Sequence, residues 1–332
     1  MTAIGDFEAL SPMVLLDEVE DALDLDLTGL THAHPSYINR VYELQATDGT
    51  RLIAKFYRPG RWSAAALREE HEFVLGCAAA DIPVIAPQPL TTGDTLGCTE
   101  NGYHFAVYPK TWGRELEVTD DEAWRRLGRI LARVHLVGDQ AEAPHRVVMH
   151  PAHSTRADLE LLREGDHVTA DVHDDFFATA EELLEMITPL FDDVPLTRIH
   201  GDCHAANVLD RPDTGMMLID FDDMATGPRV QDLWMLLPGK LPEARREFDL
   251  IIEGYEDFCV FDWMDIKLIE PLRAMRSFYF WAWCARQTDD PGFRHNFPDW
   301  GDQVFWMREL DFLQRQARDI QKQIAEDPFL PA

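Results

Sequence analysis

His200, Asp202, Asn207 and Asp220 carry the most specific chemical pattern in the chain. The first three lie in Ile199-His-Gly-Asp-Cys-His-Ala-Ala-Asn-Val-Leu209. Asp220 follows Asn207 by 13 residues, in Leu218-Ile-Asp-Phe-Asp-Asp223. The pattern is His-x-Asp-x4-Asn, a short β signal, then an acid behind an apolar pair. Transfer of a γ-phosphoryl group needs these residue types. A carboxylate must orient or deprotonate the acceptor hydroxyl, and Asp202 fits. Hard oxygen ligands must hold Mg2+ against the phosphates, and the Asn207 amide and Asp220 carboxylate fit. A rival reading makes His200, Asp202, Cys203 and His204 ligands of Zn2+. Gly201 breaks the helix which that i, i+4 histidine pair would need, and no second ligand pair stands at zinc-like spacing. A third reading is a purely structural loop with a buried histidine and a capping aspartate.

The spacing matches the catalytic-loop and metal-loop elements of protein kinases, which also need a strand lysine for the α/β-phosphates and a helix glutamate to orient it. Lys55, in Leu52-Ile-Ala-Lys-Phe-Tyr57, is the only lysine before Lys110. The next helix offers Glu69, Glu70 and Glu72. Glu69 and Glu70 are adjacent and point differently, and Glu70 is the expected partner. Read alone, Lys55 is an edge-strand charge and the glutamates a solvated face. No G-x-G-x-x-G loop precedes Lys55. The corresponding stretch is His34 to Val41, where backbone N–H groups, the Ser36 hydroxyl and Arg40 could meet phosphate.

These residues need a scaffold. Ser11-Pro12 reads as a helix start, with Leu15, Leu16, Val19, Ala22 and Leu23 at helical spacing. Val41 to Phe56 reads as a β-hairpin closed by Asp48-Gly49. Ser63 to Ala80 reads as a capped helix, and Tyr103 to Pro109 as a β-rich run. Trp124 to His135 marks an amphipathic helix, and His145 to Asp175, rich in histidine and acid, reads as a long surface connection. A helix follows from Phe176 to Pro189, then β signals at 196–200 and 216–219. Helices fill 230–325, including an aromatic stripe at 278–283 that is helix core or the lining of a cation–π pocket. The expectation is an α+β chain with a β-rich N-terminal lobe, 1–109, and a mainly helical C-terminal lobe, 110–332, joined by a hinge near 106–113.

Composition limits the partners. Sixty acidic residues against 30 basic ones give a formal charge of −30 over 332 residues. Such a surface repels nucleic acid and anionic membrane. Five scattered cysteines without a C-x-x-C pair suit a reducing compartment. The start, MTAIGDFEAL, has neither a basic segment nor an apolar core, and the longest aromatic-apolar run is too short to span a bilayer. A cytoplasmic monomer is expected.

HGDCHAANVL with LIDFDD resembles the aminoglycoside phosphotransferase and choline kinase superfamily, in which Gly replaces the Arg of H-R-D. SYINRVYEL, KFYRPGRW, EEHEF, GPRVQDLWMLL and IEPLRAMR are similar to segments of one branch, the bacterial stress response kinase A family. These segments run from about Ser36 to Arg276. Ala206 and Phe221 depart from the family's usual Gly and Leu, at positions outside the expected ligands. The resemblance implies a bilobal protein kinase-like fold of the aminoglycoside-phosphotransferase type and an ATP- and Mg2+-dependent Ser/Thr protein kinase acting in stress response. It implies Asp202 as catalytic base, Asn207 and Asp220 as Mg2+ ligands, Ser36 and Lys55 as phosphate contacts, and Tyr108-Pro109 as the hinge strand against adenine. A small-molecule kinase of the choline, homoserine or aminoglycoside type is the alternative. A non-catalytic pseudokinase is a third reading, opposed by the full set of polar groups.

Overall fold

A computed structural model describes residues 7, 9–118, 120–211 and 215–326. Helix α1 (Pro12–Leu23) starts for local reasons: Ser11 is extended, its hydroxyl accepts from the Val14 N–H, and Pro12 occupies a position with no helical N–H bond to lose. Five strands follow, β1 (Leu27–His34), β2 (Arg40–Ala46), β3 (Arg51–Phe56), β4 (Gly97–Cys98) and β5 (His104–Pro109), with α2 (Ala64–Ala79) between β3 and β4. They form an antiparallel sheet in the order β1-β2-β3-β5-β4. The Asp-Gly turn closes β2 onto β3 as expected. The Asp48 carboxylate accepts from the Thr50 N–H at 2.8 Å, and Gly49 takes φ +91°, where a side chain would be strained.

Strand periodicity then divides the sheet into two faces. Leu52, Ala54 and Phe56 of β3 join Leu44, Phe105 and Val107 and bury against Leu15 and Val19 of α1. Lys55 therefore points to the opposite face, shared by Tyr57, Ala106 and Tyr108 with Leu67 of α2. Its strand lies between β2 and β5, with Val41 and Ala106 beside it, so the edge-strand reading of Lys55 is wrong. Strand β1 has no sequence expectation behind it. It is an edge strand whose six middle residues are exposed, so no alternation of apolar residues marks it.

Onward from Lys110 the chain forms β6 (Arg114–Glu115), α3 (Asp121–Gly138), α4 (Arg156–Glu164), α5 (His173–Ile187), β7 (Thr197–Ile199), β8 (Val208–Arg211), β9 (Gly215–Leu218), β10 (Ala225–Gly227), α6 (Val230–Trp234), α7 (Arg245–Tyr255), α8 (Ile269–Ala285), α9 (Phe293–Asn296) and α10 (Gln303–Glu326). Among the described residues, those up to Arg146, with Arg198–Ala225 and Met235–Phe261, form one compact unit; Val147–Thr197, Thr226–Trp234 and those from Asp262 form a second. In the first unit α3 meets α7 at near backbone contact: a Cβ on Gly254 would lie 2.0 Å from the Arg125 carbonyl oxygen. The second unit is built on α5, α8 and α10, with Phe176, Phe278, Trp281 and Trp306 buried edge to face. Phe278 and Trp281 of the aromatic stripe are thus core, while Phe280 is exposed.

The expected surface connection from His145 to Asp175 is corrected. It contains α4, with Leu159, Leu161 and Leu162 buried and Asp158 bonded to Arg286 at 2.7 Å. Alternating charges hid a leucine face one turn wide. Among the described residues no helix is long and apolar enough to cross a membrane.

Candidate active site

The loop after β7 is built around His200. Its ring is fully buried, packs on Phe221 with ring centres 4.4 Å apart, and spans two loops. Nε2 donates to the Ile219 carbonyl at 2.9 Å, which leaves Nδ1 to accept from the Asp202 N–H at 3.3 Å. Both nitrogens are therefore committed to backbone, and Cys203 is buried, so the zinc reading fails. Gly201 takes φ +83°, and a Cβ there would lie 2.2 Å from the Asp223 carbonyl oxygen. Only glycine lets this loop lie flat against the Asp220–Asp223 segment.

Asp202 follows directly, with Oδ2 lying 3.3 Å from His204 Nε2. Asn207 donates through Nδ2 to the Asp202 carbonyl at 2.9 Å, and its own carbonyl accepts from the Ile219 N–H at 3.0 Å. With the amide nitrogen engaged, the amide oxygen is the end available to a cation. Asp220 occupies the left-handed region at φ 60°, ψ 67°, with its side chain half exposed.

Lys55 reaches the same place from β3. Nζ lies 2.8 Å from Asp220 Oδ1 and 3.3 Å from Asp222 Oδ1. Burial alone would lower the ammonium's pKa, but Asp220, Asp222 and Glu70 outweigh it and hold Lys55 well above its ordinary value. Glu70 is the inward-facing glutamate of α2, as expected, whereas Glu69 accepts from the His145 N–H at 3.0 Å. The direct partners of Lys55 are the two aspartates, however. Glu70 acts on Lys55 through charge, and its near cation is Arg146 at 3.8 Å. Tyr108 closes this face: its hydroxyl lies 3.0 Å from that of Tyr57, which lies 2.9 Å from His71 Nε2. Pro109 ends β5, exposed, opposite Leu52. In the 35–39 loop the Ser36 hydroxyl accepts from the Asn39 N–H at 3.4 Å. Arg40 points elsewhere, with its guanidinium over the Phe7 ring, 4.8 Å from the centroid.

Residues without a role in the sequence reading complete the cluster. Arg61 bonds Asp222 and, at 2.7 Å, Asp223. Asn39 Nδ2 donates to Asp222 Oδ2 at 3.2 Å. Arg146 is buried over the Trp62 ring, 4.0 Å from its centroid, and donates to the Asp222 and Met224 carbonyls.

One pH dependence follows from Glu70. Burial raises its carboxyl from 4.5 to about 7, with Lys55 opposing and Asp222 adding to the rise. A raised folded-state pKa means that the group's contribution to stability is full below pH 4.5 and is lost as pH climbs through about 7. Glu70→Gln, neutral throughout, should therefore gain melting temperature relative to wild type between pH 5 and 8. A melting-temperature difference independent of pH would refute this.

A family model described as the phosphotransferase enzyme family matches residues 31–269. Stress response kinase A of Escherichia coli (strain K12) is 38% identical over 318 residues, 95% of each chain. The serine/threonine protein kinase RdoA of Salmonella typhimurium is 37% identical over 328 residues, 98% of this chain and 96% of that protein. Among solved structures, an amicoumacin kinase in complex with AMP-PNP and Ca2+ superposes with a TM-score of 0.72 at 16% identity, covering 94% of this chain and 93% of the other. A spectinomycin phosphotransferase in complex with ADP and spectinomycin gives 0.64 at 13% identity, over 91% and 98%. At these identities the structural likeness is one of fold, and it agrees with the α+β class expected from sequence.

Proposed function

This chain belongs to the phosphotransferase enzyme family, among the relatives of stress response kinase A, and on that premise we propose that it is an ATP- and Mg2+-dependent serine/threonine protein kinase. The observation that carries the nucleotide reading is the meeting of Lys55 with the half-exposed carboxylate of Asp220. A strand lysine and a metal-loop aspartate are the pair a γ-phosphoryl transfer site needs side by side. The donor set fits Mg2+: a carboxylate at Asp220 and the oxygen of the Asn207 amide, both hard, with phosphate oxygens and water left to complete the shell. Mg2+ held by Asn207 and Asp220 would supply positive charge that neutralises the phosphates.

The chain's own residues do the rest. Lys55 exchanges Asp220 for phosphate, and Ser36 with the backbone of its loop covers the phosphates. Glu70 steadies Lys55 by charge. Tyr108 and Pro109 border the adenine, with 1–109 and 110–332 as the two lobes and 106–113 as hinge. Asp202 accepts the hydroxyl proton of the acceptor as its oxygen bonds the γ-phosphorus, while the bond from that phosphorus to the β,γ-bridging oxygen breaks and ADP leaves with the electron pair. The relatives' names, a stress response kinase and a serine/threonine protein kinase, support a protein acceptor and a stress role, and five scattered cysteines without a C-x-x-C pair support a cytoplasmic setting.

Purified protein is to be incubated with γ-labelled ATP and Mg2+, alone, with myelin basic protein, with cell extract and with a panel of small alcohols and amines. Labelled serine or threonine in protein is the expected result. Robust turnover of a small alcohol with no protein labelling would replace the protein-kinase assignment with a small-molecule one.

A further inference from the structure

We propose that Asp222 is a positioning residue that locks Lys55 to the phosphate loop, and that it is not a second metal ligand. The inference rests on the nucleotide reading above. Two acids of the Asp220-Phe-Asp-Asp223 run lie within reach of Lys55. Their surroundings separate them. The Asp220 side chain is 51% exposed, whereas that of Asp222 is 6% exposed.

The Asp222 carboxylate is held between cationic and amide groups. Oδ2 accepts from Asn39 Nδ2 at 3.2 Å and from Arg61. Oδ1 lies 3.3 Å from Lys55 Nζ, an ion pair rather than an aligned hydrogen bond. Arg146 fixes the same residue from behind through its carbonyl. A divalent ion would have to displace these donors and enter a closed space already bordered by three cationic side chains. A buried carboxylate bordered by Lys55, Arg61 and Arg146 serves those neighbours rather than a further cation.

Those neighbours show what it holds. Asn39 ends the loop that begins after His34, and its own N–H is bonded to the Ser36 hydroxyl. Its Oδ1 accepts from the Arg58 N–H at 3.1 Å, which ties the loop to the chain just past β3. Ser36, Asn39, Asp222 and Lys55 thus form one connected line from phosphate loop to strand lysine. With Asp220 committed to a metal, Lys55 would lose its 2.8 Å partner but keep Asp222. The ammonium then stays aimed at the phosphates.

The test compares wild type with Asp222→Asn, Asn39→Ala and Asp220→Asn. Two quantities are measured: Mn2+ affinity in the presence of ADP, from the free-ion paramagnetic resonance signal, and kcat and KM for ATP. Asp222→Asn and Asn39→Ala are expected to lower kcat/KM for ATP by about tenfold or more while leaving the Mn2+ dissociation constant within about twofold. Asp220→Asn is expected to weaken Mn2+ by about tenfold or more. Asn39→Ala leaves every charge in place, so it carries the test if Asp222→Asn folds poorly. Weakening of Mn2+ by Asp222→Asn as great as by Asp220→Asn would overturn the inference. So would unchanged ATP kinetics in Asn39→Ala. Wild-type protein that binds no Mn2+ with ADP would overturn the nucleotide reading itself.

Discussion

Asp202→Asn is expected to lower kcat for ATP-dependent transfer by roughly a thousandfold, within the range for loss of a positioned general base. Its effect on everything else should be small, because the loop is held by the main chain of residue 202. The N–H donates to His200 and the carbonyl accepts from Asn207, and neither bond involves the carboxylate. Asparagine keeps the shape and an acceptor oxygen 3.3 Å from His204 Nε2. Lys55 and Asp220 are untouched, so KM for ATP and melting temperature should stay near wild type. Steady-state turnover with labelled ATP and a thermal melt decide the matter. A kcat within about tenfold of wild type would remove Asp202 from the role of base.

What sequence made legible here is chemistry held in short stretches. His200 to Asn207 is one turn of chain, and its internal bonds span two to five residues. Lys55 was legible because a strand flanked by a D-G turn fixes which side each residue faces. Long-range charge pairing was opaque. Arg61 lies 162 residues from Asp223 in the chain, and Arg146 lies 76 from Asp222. An arginine in a loop looks solvated until the fold brings a carboxylate or carbonyl to it. Arg146 was further masked by its place in a stretch rich in histidine and acid. The Lys55 pairing was missed for a related reason. Glu70 is the neighbour by sequence logic, but it sits buried with its carboxyl pushed up to about 7, while Asp220 stands half exposed and close. Strand β1 was hidden by exposure, since an edge with both faces wet carries no apolar alternation.

Replacing Asp220 by Ala and by Asn should separate backbone from chemistry. Both changes remove the carboxylate that meets Lys55 at 2.8 Å and that the proposed mechanism gives to Mg2+. Loss of a metal worth several kcal/mol of transition-state stabilisation should lower turnover by about a thousandfold or more in each. Stability should differ between them. At φ 60° and ψ 67° an alanine carries a left-handed backbone at a cost of about 1 kcal/mol, whereas Asn, like Asp, tolerates that region through local hydrogen bonding. Asp220→Ala should therefore melt about 2 °C lower than Asp220→Asn, with the two equally inactive. Lys55 remains charged in both, because Asp222 still faces it at 3.3 Å from the buried side. If Asp220→Asn kept more than about a tenth of wild-type turnover, the metal would be held elsewhere and Lys55–Asp220 would be a structural ion pair. If instead turnover were lost but the two variants melted alike, the left-handed turn at Asp220 would be set by the packing of His200 and Gly201 against it rather than by residue 220 itself.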